Sequence, residues 1–454
     1  MRSLDTAMTK YGTNVALVTK QRVCQARKRR LHSAIIYISL ALMVGACQTN
    51  TGDRTGTSSP ANSPVAKGLK LGSLLPSTGD LAPVGQPMID AVPLVVNQVN
   101  QCGGINGEPV TIISEDDQTD PTAGNEAMTK LAEVNQVGGV VGSFASSVSQ
   151  AAVDVAARNQ VMLISPGSTS PVFTERAQKD DFKGYWARTA PPDTYQAQAL
   201  AKLANEKGFK RVSTVVINND YGVGFEQEFV KAFKTLGGTV INEKNPTRYD
   251  PKATTFETEA AAAFAGKPDA VVAVLYAETG SLLLKSAYEQ GLMKGVQVML
   301  TDGVKSDEFA QQVGKSSDGK YIITGAIGTV PGADGKALKT LTKLWESKKN
   351  QPPPAYVPQS WDATALLLLA AEAAKSNTGE GIAKKIRDVA NPPGIEVADV
   401  CQGLDLVRQG KDINYQGASG NVDIDQNGDV VGVYDVWTVK DDGKLAVTGQ
   451  VKPE

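Results

Sequence analysis

The run AVVAVLY at 270–276 is seven residues long, with no charge and no break. A strand with one wet face alternates apolar and polar residues. A strand that is apolar on both faces has to be covered on both, which is the situation of a parallel sheet sandwiched between helices. The pattern recurs at GGVVG (138–142), VMLIS (161–165), VSTVVIN (212–218) and VQVML (296–300). Further strand runs are KLGSLL (70–75), VTII (110–113) and TVIN (239–242). Helical spacing fills the intervals. Ile89, Val92, Val95, Val96 and Val99 mark a helix over 88–100, and others are expected over 121–135, 147–159, 193–207, 222–236 and 279–290. LLLLAAEAA (366–374) reads as a buried helix, too short and too interrupted to cross a membrane. Two series of alternating strands and helices predict an α/β fold of two doubly wound, Rossmann-like lobes.

The N-terminal region reads differently. Arg27, Lys28, Arg29 and Arg30 precede a short apolar core, Ile35 to Val44, and then Val-Gly-Ala-Cys47. A basic cluster, an apolar core and small residues before a lone Cys predict a lipoprotein signal peptide over 1–46, with diacylglycerol on the Cys47 thiol. The alternative is an ordinary secretory signal with an incidental Cys. Residues 47–68 are rich in Ser, Thr, Gly and Pro, the composition of a flexible tether. The leader takes eight of the 46 Lys and Arg and one of the 48 acids, so the remainder carries a net charge of −9. With no basic run, nucleic acid is not expected as a partner.

His32 is the only histidine, and it leaves with the leader. Ser-His-Asp and Cys-His catalysis and His-containing metal sites leave with it. YGVGF (221–225) is a lone G-x-G without the third glycine of a dinucleotide site, and no P-loop is present. No enzyme, cofactor or metal is expected. Asp423, Asp425, Asn427 and Gly428 match half of a calcium loop, but the bidentate Glu position holds Tyr434; Asn-Gly between strand-like flanks predicts a hairpin instead. Ser317-x-x-Lys320 lacks the partner motifs of serine acylases. Asp116 and Asp117 are expected to cap the next helix and line a loop. Beyond the leader and Cys47, only Cys102 and Cys401 remain. Two thiols in an exported chain point to one disulfide, with two free buried cysteines as the alternative.

Hydroxyls crowd two successive strand ends, at VVGSFASSVSQ (140–150) and LISPGSTSP (163–171). Strand carboxyl ends in open parallel sheets are where ligands bind, because helix N-termini present free N–H groups there. Ser146 and Ser147, then Gly167, Ser168 and Thr169, suit capture of a carboxylate without Arg; equally, they suit helix caps and turns. Other strand ends bring Tyr221, Tyr276 and Asp302. A carboxylate for an ammonium, hydroxyls for a carboxylate and rings for an apolar side chain describe an α-amino acid.

The order and spacing of LGSLLPSTGDLAPVGQ, GGINGEPVTIISEDDQTDP, VVGSFASSVSQ, LISPGSTSP, NNDYGVGF and GKDINYQGASGNVDIDQNGD give the chain, from 69 to 454, a family resemblance. It resembles a type I periplasmic binding protein of the leucine/isoleucine/valine-binding family in lipoprotein form, most similar to cyanobacterial receptors for neutral amino acids. The resemblance implies a monomeric solute receptor of an ABC importer, lipid-anchored outside the cytoplasm, with a permease and ATPase as partners. It implies that Ser146 meets the ligand carboxylate, Gly167 and Thr169 its α-groups, and Asp302 its ammonium. Tyr221, Tyr276 and Tyr356 would supply rings, and Phe144 and Ala145 the pocket wall. Val84 stands where the family often has an aromatic lid, which implies an open or differently shaped pocket. Three hinge crossings would divide the chain into lobe one, 69–190 with 326–418, and lobe two, 191–325 with 419–454. Alternatives are a receptor for urea or a short amide, an amino acid sensor, a hydrolase or amidase, and a purely structural lipoprotein.

Overall fold

The computed structural model describes residues 68–452. The expected signal peptide, Cys47 and nearly all of the tether lie outside the described residues. The first sheet is built from β1 (Lys70–Leu75), β2 (Thr111–Asp116), β3 (Gly139–Gly142), β4 (Met162–Ser165) and β5 (Trp186–Arg188), all parallel, in the order β2-β1-β3-β4-β5. The second takes β6 (Arg211–Ile217), β7 (Thr239–Val240), β8 (Thr247–Tyr249), β9 (Ala270–Val274), β10 (Gln297–Leu300) and β11 (Ile327–Pro331). A short parallel pair follows, β12 (Ile395–Val397) and β13 (Ile413–Tyr415). Finally β14 (Tyr434–Val439) and β15 (Leu445–Val451) extend the second sheet antiparallel beyond β11.

The apolar runs behave as their composition demands. Every residue of β3, β4 and β9 is buried, as is all of β6 after Arg211. Helix Pro121–Thr129 starts on its proline, and Asp120 caps it by accepting from Thr122 N (2.8 Å) and Ala123 N (3.1 Å). The cap is therefore Asp120, not the expected Asp116 or Asp117. Asp116 organises a loop through Ser77 N, Thr78 N and the Thr78 hydroxyl (2.6 Å). Helix Val357–Ala374 is buried on every side, with Leu366 to Leu369 at zero exposure. Of its two acids, Asp362 accepts from Ala418 N and Ser419 N (2.7 Å each) and from the Tyr415 hydroxyl (3.1 Å), and Glu372 accepts from Arg408 Nε (3.1 Å). Burial pushes the Asp362 carboxyl up to about 6.

Two expected boundaries shift. β11 pairs with β10 and β14, so the crossing back toward the first sheet falls after Pro331, not at 326. Residues 419–429 stay with the first sheet. Ser419 Oγ donates to Asp362 (2.6 Å), and Asn391 brackets Ile424 through Ile424 N (2.7 Å) and Ile424 O (2.7 Å). The expected hairpin at 423–429 is a tight turn without flanking strands. Asp425 N meets Asp429 O (2.9 Å), and the Asp425 carboxylate takes Asn427 N (2.7 Å) and Asp429 N (2.9 Å). The turn docks on the sheet edge, where Arg188 N donates to Gly428 O (2.9 Å). Gly428 has φ +84°, and a Cβ there would crowd Trp186 O. Backbone pairing to β5 replaced pairing within a hairpin. The hairpin of this region lies instead at Lys440–Lys444, between β14 and β15.

Cys102 and Cys401 form a disulfide with Cα atoms 5.9 Å apart, fastening helix Ala82–Gln101 to helix Val400–Arg408. A second fastener is Arg188, with zero exposure. Its Nε donates to Asp429 Oδ1 (2.7 Å), its Nη1 to Ser168 O (3.0 Å) and Ser170 O (2.9 Å), and its Nη2 to Thr174 Oγ1 (2.8 Å). Removing one partner of a buried pair strands the other charge. Asp429→Ala is therefore expected to cost about 3–5 kcal/mol in denaturant unfolding of the body, far more than exposed Asp441→Ala; equal midpoints would contradict the anchoring role.

Candidate functional site: the interlobe cleft

Most of the hydroxyls at the two strand ends tie those ends to each other. Ser165 Oγ donates to Ser143 O (2.5 Å) and accepts from Ser168 N (2.8 Å) and Gly167 N (3.2 Å). Ser168 Oγ contacts Phe144 O (3.0 Å) and Ser149 Oγ (2.8 Å). Ser143 N in turn donates to Ser149 Oγ (3.1 Å), and Ser143 Oγ donates to Asp117 (2.5 Å). Burial pushes the Asp117 carboxyl up to about 6 against the pull of that hydroxyl. Ser168, expected at the ligand, is thus engaged in the frame.

Ser146 and Thr169 occupy different positions. Ser146 opens helix Ser146–Arg158, and its hydroxyl accepts from Ser170 N (3.2 Å). Thr169 Oγ1 donates to Asp193 (3.0 Å), and Asp193 N returns a bond to Thr169 O (2.7 Å). Gly167 is required for packing: a Cβ there would overlap the Phe144 ring. Phe144 meets Tyr356 edge-on at 4.7 Å. Tyr356 itself has φ +67°, a left-handed conformation that a bulky residue adopts only when its surroundings hold it.

The second sheet brings the complementary half. Tyr221 lies in the first turn of helix Asp220–Thr235, which Asn219 caps through Gly222 N (3.0 Å). Its ring stacks on Tyr276 at 5.8 Å, and Tyr276 precedes helix Ala277–Glu289. Asp302 follows β10. It accepts from Tyr356 OH (2.7 Å), Gln196 Nε2 (2.8 Å) and Tyr221 OH (3.0 Å), and it is 2% exposed. Burial raises its pKa, while the Tyr356 and Tyr221 hydroxyls and Gln196 work the other way. Burial also holds the Tyr221, Tyr276 and Tyr356 hydroxyls well above the usual phenol range, so all three stay neutral.

Leu81, Phe144, Ala145, Ser146, Gly167, Tyr221, Tyr276, Asp302 and Gly303 together enclose a cavity of ≈ 10 Å³. That is about the room for one water; anything larger requires the two halves to separate. Outside it opens a mouth of ≈ 700 Å³ that reaches Ser147, Asp220, Lys252 and Glu278. Asp80 spans this mouth. From the loop after β1 it accepts from Glu278 N and from Thr279 Oγ1 (2.7 Å), so it caps helix Ala277–Glu289 from the other half of the molecule. Ser170 Oγ donates to Asp220 O (2.9 Å) across the same gap.

The structure thus brings Ser146, Gly167, Tyr221, Tyr276, Asp302, Phe144 and Ala145 to one cleft; Tyr356 stands behind it, bonded to Asp302, and Thr169 is bonded to Asp193. Val84 is not among the lining residues; it is buried in the helix core, and Leu81, one turn earlier, forms the wall. The sequence reading missed Leu81, Asp80, Arg188, Asp193 and Gln196. Arg188 had a signal, a lone charge in the apolar stretch YWARTAPP, because a charge in a buried strand needs partners. Asp80 had none, since its partners lie about two hundred residues away in the chain.

Comparison with known proteins follows the same lines. The family described as "Receptor family ligand binding region" matches residues 88–442. Leu/Ile/Val-binding protein homolog 1 of Brucella abortus (strain 2308) is 32% identical over 321 residues, 69% of this chain and 81% of that one. The chemotactic signal transduction system substrate-binding protein BasB of Halobacterium salinarum is 29% identical over 365 residues, 78% and 83%. Among solved structures, the leucine binding protein LivK of Thermotoga maritima superposes with a TM-score of 0.71 at 24% identity, covering 85% of this chain and 99% of that one. LivJ of Streptococcus pneumoniae, in complex with isoleucine, gives 0.69 at 21%, covering 85% and 100%. A solute binding protein of an ABC transporter from R. palustris, in complex with benzoate, gives 0.66 at 21%, covering 85% and 97%. The match over most of the length and the shared two-sheet architecture lead to one conclusion: the chain belongs to the type I periplasmic binding proteins of the leucine/isoleucine/valine-binding family.

Proposed function

We propose that this chain is the lipid-anchored, extracytoplasmic receptor of an ABC importer and that it binds neutral L-amino acids, the branched-chain ones included, in the cleft between its lobes. The observation that carries the reading is Asp302. A buried carboxylate from the second sheet faces hydroxyls and a glycine from the first, an arrangement with one pole for an ammonium and another for a carboxylate. The Leu/Ile/Val-binding relatives and the isoleucine complex of a structural neighbour support the amino acid. The benzoate complex of another neighbour raises the alternative of an aromatic acid. Asp302 disfavours it, because an acid without an ammonium would bring a second anion to a buried one. BasB keeps a sensing role open beside transport. Urea or a short amide would not need the acid at 302.

The mechanism is hinge closure, for which the periplasmic binding proteins are a standing example. The first lobe takes the ligand carboxylate at Ser146, with Gly167 and Thr169 beside its α-groups. Closure brings Tyr221, Tyr276 and Asp302 over it and seats Asp80 on helix Ala277–Glu289. The permease then reads the closed form.

Thermal unfolding of residues 49–454, refolded free of ligand, tests the ligand class. Neutral L-amino acids are expected to raise the midpoint, with D-isomers, deaminated acids, urea and benzoate inert; shifts with urea or benzoate alone would overturn the reading. Asp302→Asn is expected to weaken the best amino acid by at least about thirtyfold, the loss of one partner in a buried charge pair. Asp80→Ala removes a cap made only on closure and is expected to weaken it about two- to thirtyfold, from 0.5–2 kcal/mol, with stability of the ligand-free protein unchanged. Cys47→Ser is expected to move the protein from the membrane fraction to the soluble one; retention in the membrane would remove the lipid anchor from the account.

A further inference from the structure

Asp193 is a second buried acid beside the site. It opens helix Asp193–Glu206 with zero exposure. One carboxylate oxygen accepts from Thr169 Oγ1 (3.0 Å); the other, Oδ1, is buried with no hydrogen-bond partner among the described residues. Gln196, one turn along the same helix face, holds Asp302 Oδ1 through Nε2 (2.8 Å). One helix turn thus carries Asp193, which reaches Thr169, and Gln196, which reaches Asp302; Asp302 in turn reaches Tyr221 and Tyr356, and its charge is felt at Asp193.

We propose that the ligand's ammonium is shared by these two carboxylates, and that its arrival displaces a proton which the pair holds in the ligand-free protein. The inference rests on the reading of the cleft as an amino acid site. Two like charges this deeply buried do not both ionise unless a cation joins them. The groups facing Asp193 do not supply that cation. Tyr221, Tyr356 and Tyr434 are neutral phenols, and the Tyr434 hydroxyl donates to Pro192 O (3.2 Å). Arg188 favours ionisation of Asp193, but its donors go to Asp429, Thr174 and the carbonyls of Ser168 and Ser170. Burial and the Asp302 charge accordingly hold Asp193 well above the usual carboxylate range. An α-amino acid enters as a zwitterion. Its ammonium becomes the counter-ion of both carboxylates, and one proton passes from the pair to the solvent.

The sign of the linkage follows. A folded protein that holds an extra proton loses stability as pH rises, from the ordinary carboxylate range up to the raised one. Between pH 5 and 8 the ligand-free wild type is expected to lose more thermal stability than Asp193→Asn; parallel curves would overturn the shared proton. This arm needs no ligand, so it stands apart from the identity of the solute. In the second arm, titration calorimetry with L-leucine is run across pH 5 to 8, at each pH in two buffers of different ionisation enthalpy, and read where the pair holds its proton. About one proton is expected to leave per leucine bound, and leucine affinity is expected to rise by up to about tenfold per pH unit while the pair holds its proton. Asp193→Asn should still bind leucine, more weakly and with proton release near zero. Leucine binding without proton release, or with equal release in Asp193→Asn, would overturn the displacement. Failure of every neutral L-amino acid to bind, with divergent stability curves, would overturn the amino acid reading and the ammonium half of the inference while upholding the proton. If Asp193→Asn does not fold, Asp302→Asn breaks the same pair and serves for the stability arm, and the wild-type calorimetry needs no variant. Benzoate taken up together with a proton would overturn the ammonium.

Discussion

The guanidinium of Arg188 is the constraint on which the cleft depends. Fully buried at the end of β5, it has to find acceptors, and it finds them in Asp429 and in the carbonyls of Ser168 and Ser170. Those bonds set the path of the loop that carries Gly167 and Thr169. They also hold the 425–429 turn against the first sheet, and with it the chain that returns to form β14. A single buried charge and its acceptors thereby orient a loop, a turn and the approach to the last strand pair.

The cleft itself is a balance between burial and satisfaction. Asp302 has three donors, two of them phenols drawn from opposite halves of the molecule. Among the described residues, Asp193 has Thr169 as donor to one oxygen and no partner on the other. Closing over so much carboxylate is costly without a cation, and the hydroxyls that surround it offset only part of the cost. On the proposed reading, a ligand bringing positive charge would relieve that imbalance and so couple recognition to closure. Asp80 adds a small directional term at the mouth, because its hydrogen bonds exist only when the helix at 277–289 is within reach.

The strands and helices were legible because their physics is local. Runs such as VMLIS and AVVAVLY had to be buried on both faces, and the helix spacing at 88–100 had to face them. The cleft was legible to a lesser degree. Ser146, Gly167 and Asp302 sit at strand ends, where a parallel sheet places ligands. Ser168 was misread because a serine beside a strand end serves a frame or a ligand equally well; which one depends on Phe144 O and Ser149 Oγ, some twenty residues away. Val84 was misread because the cavity meets the residue just before helix Ala82–Gln101, Leu81, while Val84, one turn further along, packs into the core. The 423–429 segment kept its turn chemistry but lost its hairpin, since the edge of β5 offered its backbone a better partner.

The sequence by itself determined the alternation of strand and helix and the two-lobed class. Each follows from residue type and period, which do not depend on distant contacts. The tertiary structure alone decided that Cys102 bonds Cys401, that Arg188 is neutralised by Asp429, that Asp80 caps a helix of the opposite half, and that Gln196 holds Asp302. Each of these joins residues far apart in the chain. Their energies come from burial and from geometry within a few ångströms, quantities that exist only once the chain has folded.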